Sequence, residues 1–289
     1  MAHSVDSLKY SSIRNYLHGI ATTQQELGHP NPLTQNPLIW RMFKAIKRLQ
    51  GHHAVRTRLP ITVSILTRLD PHVDTKDTQQ LCLRAAMWLG TCGLLRSGEF
   101  AMKTSSKPTL KRYQLTFHDA QGSIIVNPQK GPTQPNFMVL RLEQSKTDPF
   151  RQGTNVVVSN ATAIAHMLVY LQARGTCLPK QPLFTGSDGN ALSVSELVKF
   201  TQATIERANI PNSRLFLGHS FRKGGATTLH EVGYPDSLIK QMGRWSSFAF
   251  ATYVDTPVSK LIEAGKAMAK TDPLTIQTNA SFWDVHSLQ

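Results

Sequence analysis

Residues 217–253 read LGHSFRKGGATTLHEVGYPDSLIKQMGRWSSFAFATY, and this stretch decides how the rest of the chain is understood. His219 and Arg222 stand three positions apart, so on an α-helix their side chains share one face about one turn apart. An imidazole can give or take a proton, and a guanidinium offers a planar fork of donors that matches a phosphate. Tyr253 follows Arg222 by thirty-one residues, with Trp245 eight positions before it. A phenol, an imidazole, a guanidinium and an indole N–H are suitable parts for attacking a phosphodiester without a metal.

Composition sets the bounds within which that chemistry would operate. Across 289 residues, 40% are hydrophobic, enough to build a core. No segment approaches the roughly 18 uninterrupted apolar residues of a membrane span, and the first residues lack the apolar centre of a signal peptide. Cys82, Cys92 and Cys177 are odd in number and widely spaced, without a C-x-x-C pair. They read as buried thiols of a reducing compartment, not as a disulfide framework or a zinc site. Thirty-two Lys and Arg against eighteen Asp and Glu give a net charge of +14. A field of that size favours a polyanion, with nucleic acid the first candidate.

Taken in order, residues 5–26 carry Leu8, Ile13, Leu17 and Ile20 at helical spacing. A second helix is expected at about 36–50, with Leu38, Met42, Ile46 and Leu49 as its apolar stripe and Lys44, Lys47 and Arg48 outside it. Those cations suit a solvated helix face or a DNA-facing one equally, and Arg56 and Arg58 extend the basic surface into the link before Pro60. A short helix over 61–69 precedes a long apolar one at 75–95, which runs into Leu95-Arg96-Ser97-Gly98-Glu99. An arginine at the end of so apolar a helix is costly unless paired, and Glu99 at i+3 is the available partner.

The period then changes to two, predicting strands at 113–117, 138–142 and 155–158. Between the last two, Glu143–Pro149 forms a hairpin tip carrying Lys146. Helices return at 160–174 and 193–208, the latter with Ser193 or Ser195 placed to cap it. A further helix begins at His219 or just beyond. Gly224 and Gly225 within it imply close backbone approach, to another helix or to DNA. A last amphipathic helix is expected in SKLIEAGKAMAK, residues 259–270.

The ordered set Arg96, Lys146, His219-x-x-Arg222, Trp245 and Tyr253 resembles the active-site signature of the tyrosine recombinases, the phage-integrase-like family. The stretch Gly93-Leu94-Leu95-Arg96-Ser97-Gly98-Glu99 is similar to the family's G-L-R-x-x-E with one extra leucine. The S-K-T-D-P-F run looks like the β-hairpin of integrase-like proteins in eukaryotic mobile elements of the DIRS and Crypton kinds. The resemblance implies a mainly α, mixed α/β fold. It has a short helical core-binding clamp at 1–58, truncated or reduced relative to the family, and an α-rich catalytic domain at 59–289. The latter includes a small antiparallel sheet and a C-terminal subunit-docking helix.

The implied mechanism needs neither cofactor nor metal. Arg96 and Arg222 would hold the non-bridging oxygens of a phosphodiester and offset charge that builds in the transition state. Tyr253 would attack in line and leave a 3′-phosphotyrosyl bond and a free 5′-hydroxyl. His219 is the candidate base, Lys146 the acid for the leaving oxygen, Trp245 a donor to phosphate, and Glu99 a support for Arg96. Lys44, Lys47, Arg48, Arg56, Arg58, Lys223 and Arg244 are the candidate contacts to double-stranded DNA.

Further implications are a homo-oligomer, dimeric on one site and tetrameric in the synapse, with no membrane association. The setting would be the nucleus for a eukaryotic mobile element, or otherwise the nucleoid. A type IB topoisomerase would use similar chemistry on one strand, and a domesticated DNA-binding protein could keep the fold without catalysis. Trp245 stands where many members have histidine, at eight residues from the tyrosine instead of nine.

Overall fold

The computed structural model describes residues 8–34, 36–50, 58–103, 109–129, 131, 133–143, 150, 152–245, 251, 262 and 266. The chain divides into two compact units, 1–57 and 58–289.

In the first unit, α1 (Tyr10–Glu26) and α2 (Pro37–Leu49) form a helical pair. Asn36 caps α2 by accepting the Leu38 N–H at 3.1 Å, and Pro37 takes the first helical position, where no amide partner is needed. Phe43 joins the helices, edge-on to Tyr10 at 5.8 Å between centroids and 5.6 Å from Trp40. Gln50 closes the other contact, accepting the Tyr10 N–H at 2.7 Å and donating to the Leu8 carbonyl at 2.9 Å. The stripe expected on α2 is not its buried face: Leu38, Met42 and Leu49 are exposed, and Phe43 is the residue of α2 that is buried. Aromatic packing on Phe43 sets the rotation of the helix here, overriding the aliphatic periodicity.

The second unit is built around α4 (Thr78–Cys92), in which every residue from Leu81 to Thr91 is buried. Asp77 starts it by accepting the N–H groups of Gln79 and Gln80. Around α4 pack α3 (Val63–Leu69), α6 (Ala161–Arg174), α7 (Val194–Arg207) and α8 (Ser220–Glu231). Between α4 and α6 come the short α5 (Ser97–Phe100) and three strands. Asp70 ties the α3, α4 and α6 corner together, accepting from Trp88 Nε1 at 3.0 Å and facing His166 Nε2 at 3.0 Å.

The strands β1 (Leu115–His118), β2 (Phe137–Leu142) and β3 (Thr154–Val158) form one antiparallel sheet in that order. Its register aligns Leu115, Leu140 and Val156 in one row and Phe117, Met138 and Val158 in the next. All six are buried, so one face is continuous core and a one-residue slip in any strand would expose its set. Tyr113, expected in the first strand, lies in a 3₁₀ turn (Arg112–Gln114) that precedes it. Ser193 caps α7 by accepting the Glu196 N–H at 3.1 Å. A helix not anticipated, α9 (Asp236–Gly243), follows α8. The expected helix at 259–270 lies outside the described residues apart from Ile262 and Lys266.

Burial pushes the Cys82 thiol up to about 11 and the Cys92 thiol to about 12, so both are neutral at physiological pH, and all three cysteines are free.

The glycine pair in α8 serves protein packing. A methyl group on Gly224 would collide with the backbone of Ile61, and one on Gly225 with the Thr91 carbonyl. The segment over Gly224 is held there by hydrogen bonds from Ile61 N to Ser220 O at 2.9 Å and Val63 N to Thr228 Oγ1 at 3.2 Å. Gly224→Ala is therefore expected to destabilise the protein despite alanine's better helix propensity. A net loss of about 2 kcal/mol would lower the thermal midpoint by roughly 4–8 °C, measurable by calorimetry.

Candidate active site

The site begins where α4 ends. Leu94 N donates to Thr91 O at 3.1 Å and Leu95 N to Gly90 O at 2.9 Å, the paired bonds of a Schellman closure. That motif needs a left-handed residue, and Leu94 takes it with φ +47°. Glycine is the usual occupant, and a leucine there costs roughly 1–2 kcal/mol. The cost is offset by packing: the Leu94 side chain is buried with Ala226 of α8 and Ile239 of α9. Leu94 thus has a definite place, as the residue that turns the chain ahead of Arg96.

Immediately after this turn, Arg96 opens α5. Glu99 receives the Arg96 backbone N–H on Oε2 at 2.9 Å and its Nη1 on Oε1 at 2.9 Å, so the pairing expected from the i,i+3 spacing is present. The carboxylate is 6% exposed, whereas the Arg96 side chain keeps 23%.

A second helix end meets the first. α9 closes in the same way, with Arg244 N donating to Gln241 O and Trp245 N to Lys240 O, both at 3.0 Å. Its left-handed residue is Arg244, at φ +58°. The Arg244 guanidinium reaches across to α4: Nη2 lies 3.0 Å from Glu99 Oε2 and 3.3 Å from Leu94 O, and Nη1 lies 3.4 Å from both Gly93 O and Met242 O. Burial pushes its pKa down, with Glu99 raising it and Arg96 lowering it further; an arginine so placed stays charged.

Arg222 occupies the same gap from α8. It is 1% exposed, donates from Nη1 to Leu94 O at 3.1 Å and from Nη2 to Gly243 O, and lies 4.2 Å from the Trp245 ring centroid. Two guanidinium groups are thus inserted between the C-terminal, partially negative ends of α4 and α9. A desolvated cation over an indole face adds about 2 kcal/mol.

His219 precedes α8 and is exposed. Its pKa is held below 6.5, first by desolvation and then by the positive charges of Arg58, Arg222, Lys103 and Arg96. Because the residue keeps solvent access, the four cations, all acting in one direction, are the firmer cause. Arg96 and Arg244 share the buried Glu99 carboxylate, Arg222 sits on the adjoining Leu94 carbonyl, and the neutral His219 imidazole lies within the field of Arg96 and Arg222, an excess of donors that suits an anion.

Among the other candidates, Lys44, Lys47, Arg48 and Arg58 are exposed, and Lys223 donates to the Arg58 carbonyl at 3.0 Å. Lys146, Tyr253 and Arg56 lie outside the described residues. Lys103 was not singled out from sequence, although its charge bears on His219. Pro235-Asp236 followed by Leu238, Ile239 and Met242 is a helix-start signal that would have revealed α9. Among the described residues no group of His, Cys, Asp and Glu is arranged to hold a metal ion.

No family model and no curated protein sequence matches the chain. Solved structures do match in fold. The Tn1549 transposon integrase in complex with a circular intermediate DNA aligns with a TM-score of 0.54 at 13% identity, over 91% of this chain and 81% of that one. XerA recombinase aligns at 0.50 and 15%, over 91% and 78%. The XerH site-specific recombinase bound to its difH substrate aligns at 0.49 and 16%, and there this chain spans about half of the other, 53%. At such identities the likeness is one of architecture: a mainly helical unit with a small antiparallel sheet, the tyrosine recombinase fold.

Since protons bind His219 more readily in the unfolded chain, the residue favours the fold above pH 6.5. That contribution is lost as the pH falls through 6.5 toward the depressed folded value. NMR titration of the ring is expected to give a midpoint below 6.5, and Arg58→Gln to move that midpoint upward. A midpoint above 6.5 would contradict the electrostatics described.

Proposed function

We propose that this protein is a site-specific DNA recombinase that cleaves and rejoins strands through a 3′-phosphotyrosyl intermediate. The gathering of Arg96 and Arg222 at the Leu94 turn, with His219 in the field of both, in a fold shared with recombinases that act on DNA, is the observation that supports it most. The net charge of +14 provides the long-range attraction for DNA.

In this mechanism the Tyr253 hydroxyl attacks the scissile phosphorus in line. His219, neutral at physiological pH, accepts the phenolic proton, and Lys146 gives one to the departing 5′ oxygen. One P–O bond forms as another breaks, so no external energy source is needed and reversal by a new 5′-hydroxyl reseals the strand. Arg96 has an accessible guanidinium for a non-bridging oxygen. Arg222, with its terminal nitrogens on the Leu94 and Gly243 carbonyls and Trp245 stacked on it, would add its positive charge beside the phosphate.

The motif resemblance places the activity in integration or excision of a mobile element of the DIRS or Crypton kind, acting as a dimer on each site and a tetramer in the synapse. Nuclear action follows from that origin. No described helix is long and apolar enough to cross a membrane.

The test is a denaturing gel after incubation with nicked duplex from the DNA flanking the coding sequence, with chelator present. Tyr253→Phe is expected to abolish the covalent complex while leaving DNA affinity close to the parent's. Arg96→Ala should slow capture by about 10²-fold or more with little change in affinity, because many phosphate contacts support binding. Equal capture by Tyr253→Phe would sink the mechanism.

A further inference from the structure

We infer that Arg244 is a positioning residue of the active site, acting inward on Arg96, Arg222 and Trp245 and not as a contact to DNA phosphate. The inference rests on the recombinase reading for its catalytic consequence, but its geometry stands apart from that reading. Arg244 has a side chain only 12% exposed, and its two terminal nitrogens are shared among one carboxylate oxygen and three backbone carbonyls. Its Nε is buried and has no hydrogen-bond partner among the described residues. A side chain that tolerates such an orphan is held by what its terminal nitrogens do.

Three links run from Arg244, two through its guanidinium and one through its backbone, to groups that would touch substrate. Through Glu99 it acts on Arg96. The carboxylate gives Oε1 to Arg96 Nη1 and Oε2 to Arg244 Nη2, so the second cation fixes the rotation in which the first is held. Through the Leu94 carbonyl it acts on Arg222, which donates to the same oxygen at 3.1 Å. Through its own left-handed backbone it acts on Trp245, which is turned back over Arg222 by the closure of α9. Loss of Arg244 would leave Glu99 held by Arg96 alone and the two helix ends bridged by Arg222 alone, loosening both. A displacement of 1 Å in a charge-stabilising group can cost about 10²-fold in rate.

Two substitutions in the full-length protein separate this role from a DNA contact. Arg244→Ala is expected to lower the single-turnover rate of covalent capture by roughly 10–100-fold at saturating nicked DNA. Affinity for a fluorescent random-sequence duplex, and the dependence of that affinity on salt, should match the parent. Added methylguanidinium should restore part of the rate without changing affinity, which a general folding defect would not allow.

Arg244→Lys keeps the charge but cannot span Glu99 and the Leu94 carbonyl together, so it should lose rate as well. It also serves if the alanine variant does not fold. The opposite pattern would overturn the inference: capture preserved in Arg244→Lys, with Arg244→Ala weakening binding and reducing the salt slope by about one. If the parent protein itself captures no DNA, the recombinase reading fails on its own. The salt slopes still decide the orientation of Arg244: unchanged in Arg244→Ala they support it, and reduced by about one phosphate contact they refute it.

Discussion

Two helices of this protein end facing one another, and the partial negative charge at those ends is what the site depends on. α4 and α9 each leave carbonyls without partners inside the helix, as every helix must. Here the shortfall is met by two arginines, one from α8 and one that closes α9 itself: Arg222 bonds to Leu94 O and Gly243 O, and Arg244 to the carbonyls of Gly93, Leu94 and Met242. Each arginine therefore bridges both helix ends. Buried cations of this kind are tolerable because helix ends and one carboxylate supply the compensation that water would otherwise give. A scaffold that concentrates positive charge in this way is also prepared to meet an anion.

The rest of the second unit serves to keep those ends in register. Buried throughout its middle, α4 fixes one end by contact with α3, α5, α6, α7 and α8. α8 is pressed against the Ile61 backbone and the Thr91 carbonyl through Gly224 and Gly225, so the turn carrying His219 and Arg222 has little freedom to slide. The small cluster of Leu94, Ala226 and Ile239 then fastens α9 to both.

Much of this was legible in the sequence because local patterns and tertiary packing agree. The α4 apolar run, the alternation in β1–β3, the Ser193 cap and the Arg96–Glu99 spacing each have a local physical cause, and each appears where that cause puts it. Legibility failed where a long-range contact decides. On α2 the aliphatic stripe gave way to Phe43, because the aromatic partner Tyr10 lies on another helix. Arg244 reads as a surface cation in a basic protein; only its distance to Glu99, 145 positions earlier, shows otherwise. α9 was missed although its start signal is plain, since the surrounding motif residues drew the reading to side-chain chemistry over helix periodicity.

The turn at Leu94 bears on how proteins of this shape are found by their sequences. An additional residue between a helix and a reactive arginine would ordinarily rotate that arginine away, by about 100° per residue on an α-helix. Here Leu94 takes the left-handed position of the closure, where the chain leaves the helix before Arg96 begins the next one, so the direction of Arg96 is set by that turn and not by the periodicity of α4. A residue added or removed at such a closure alters the spacing along the sequence without carrying the next element around a helix. Helix closures are thus places where length can vary silently between distant relatives.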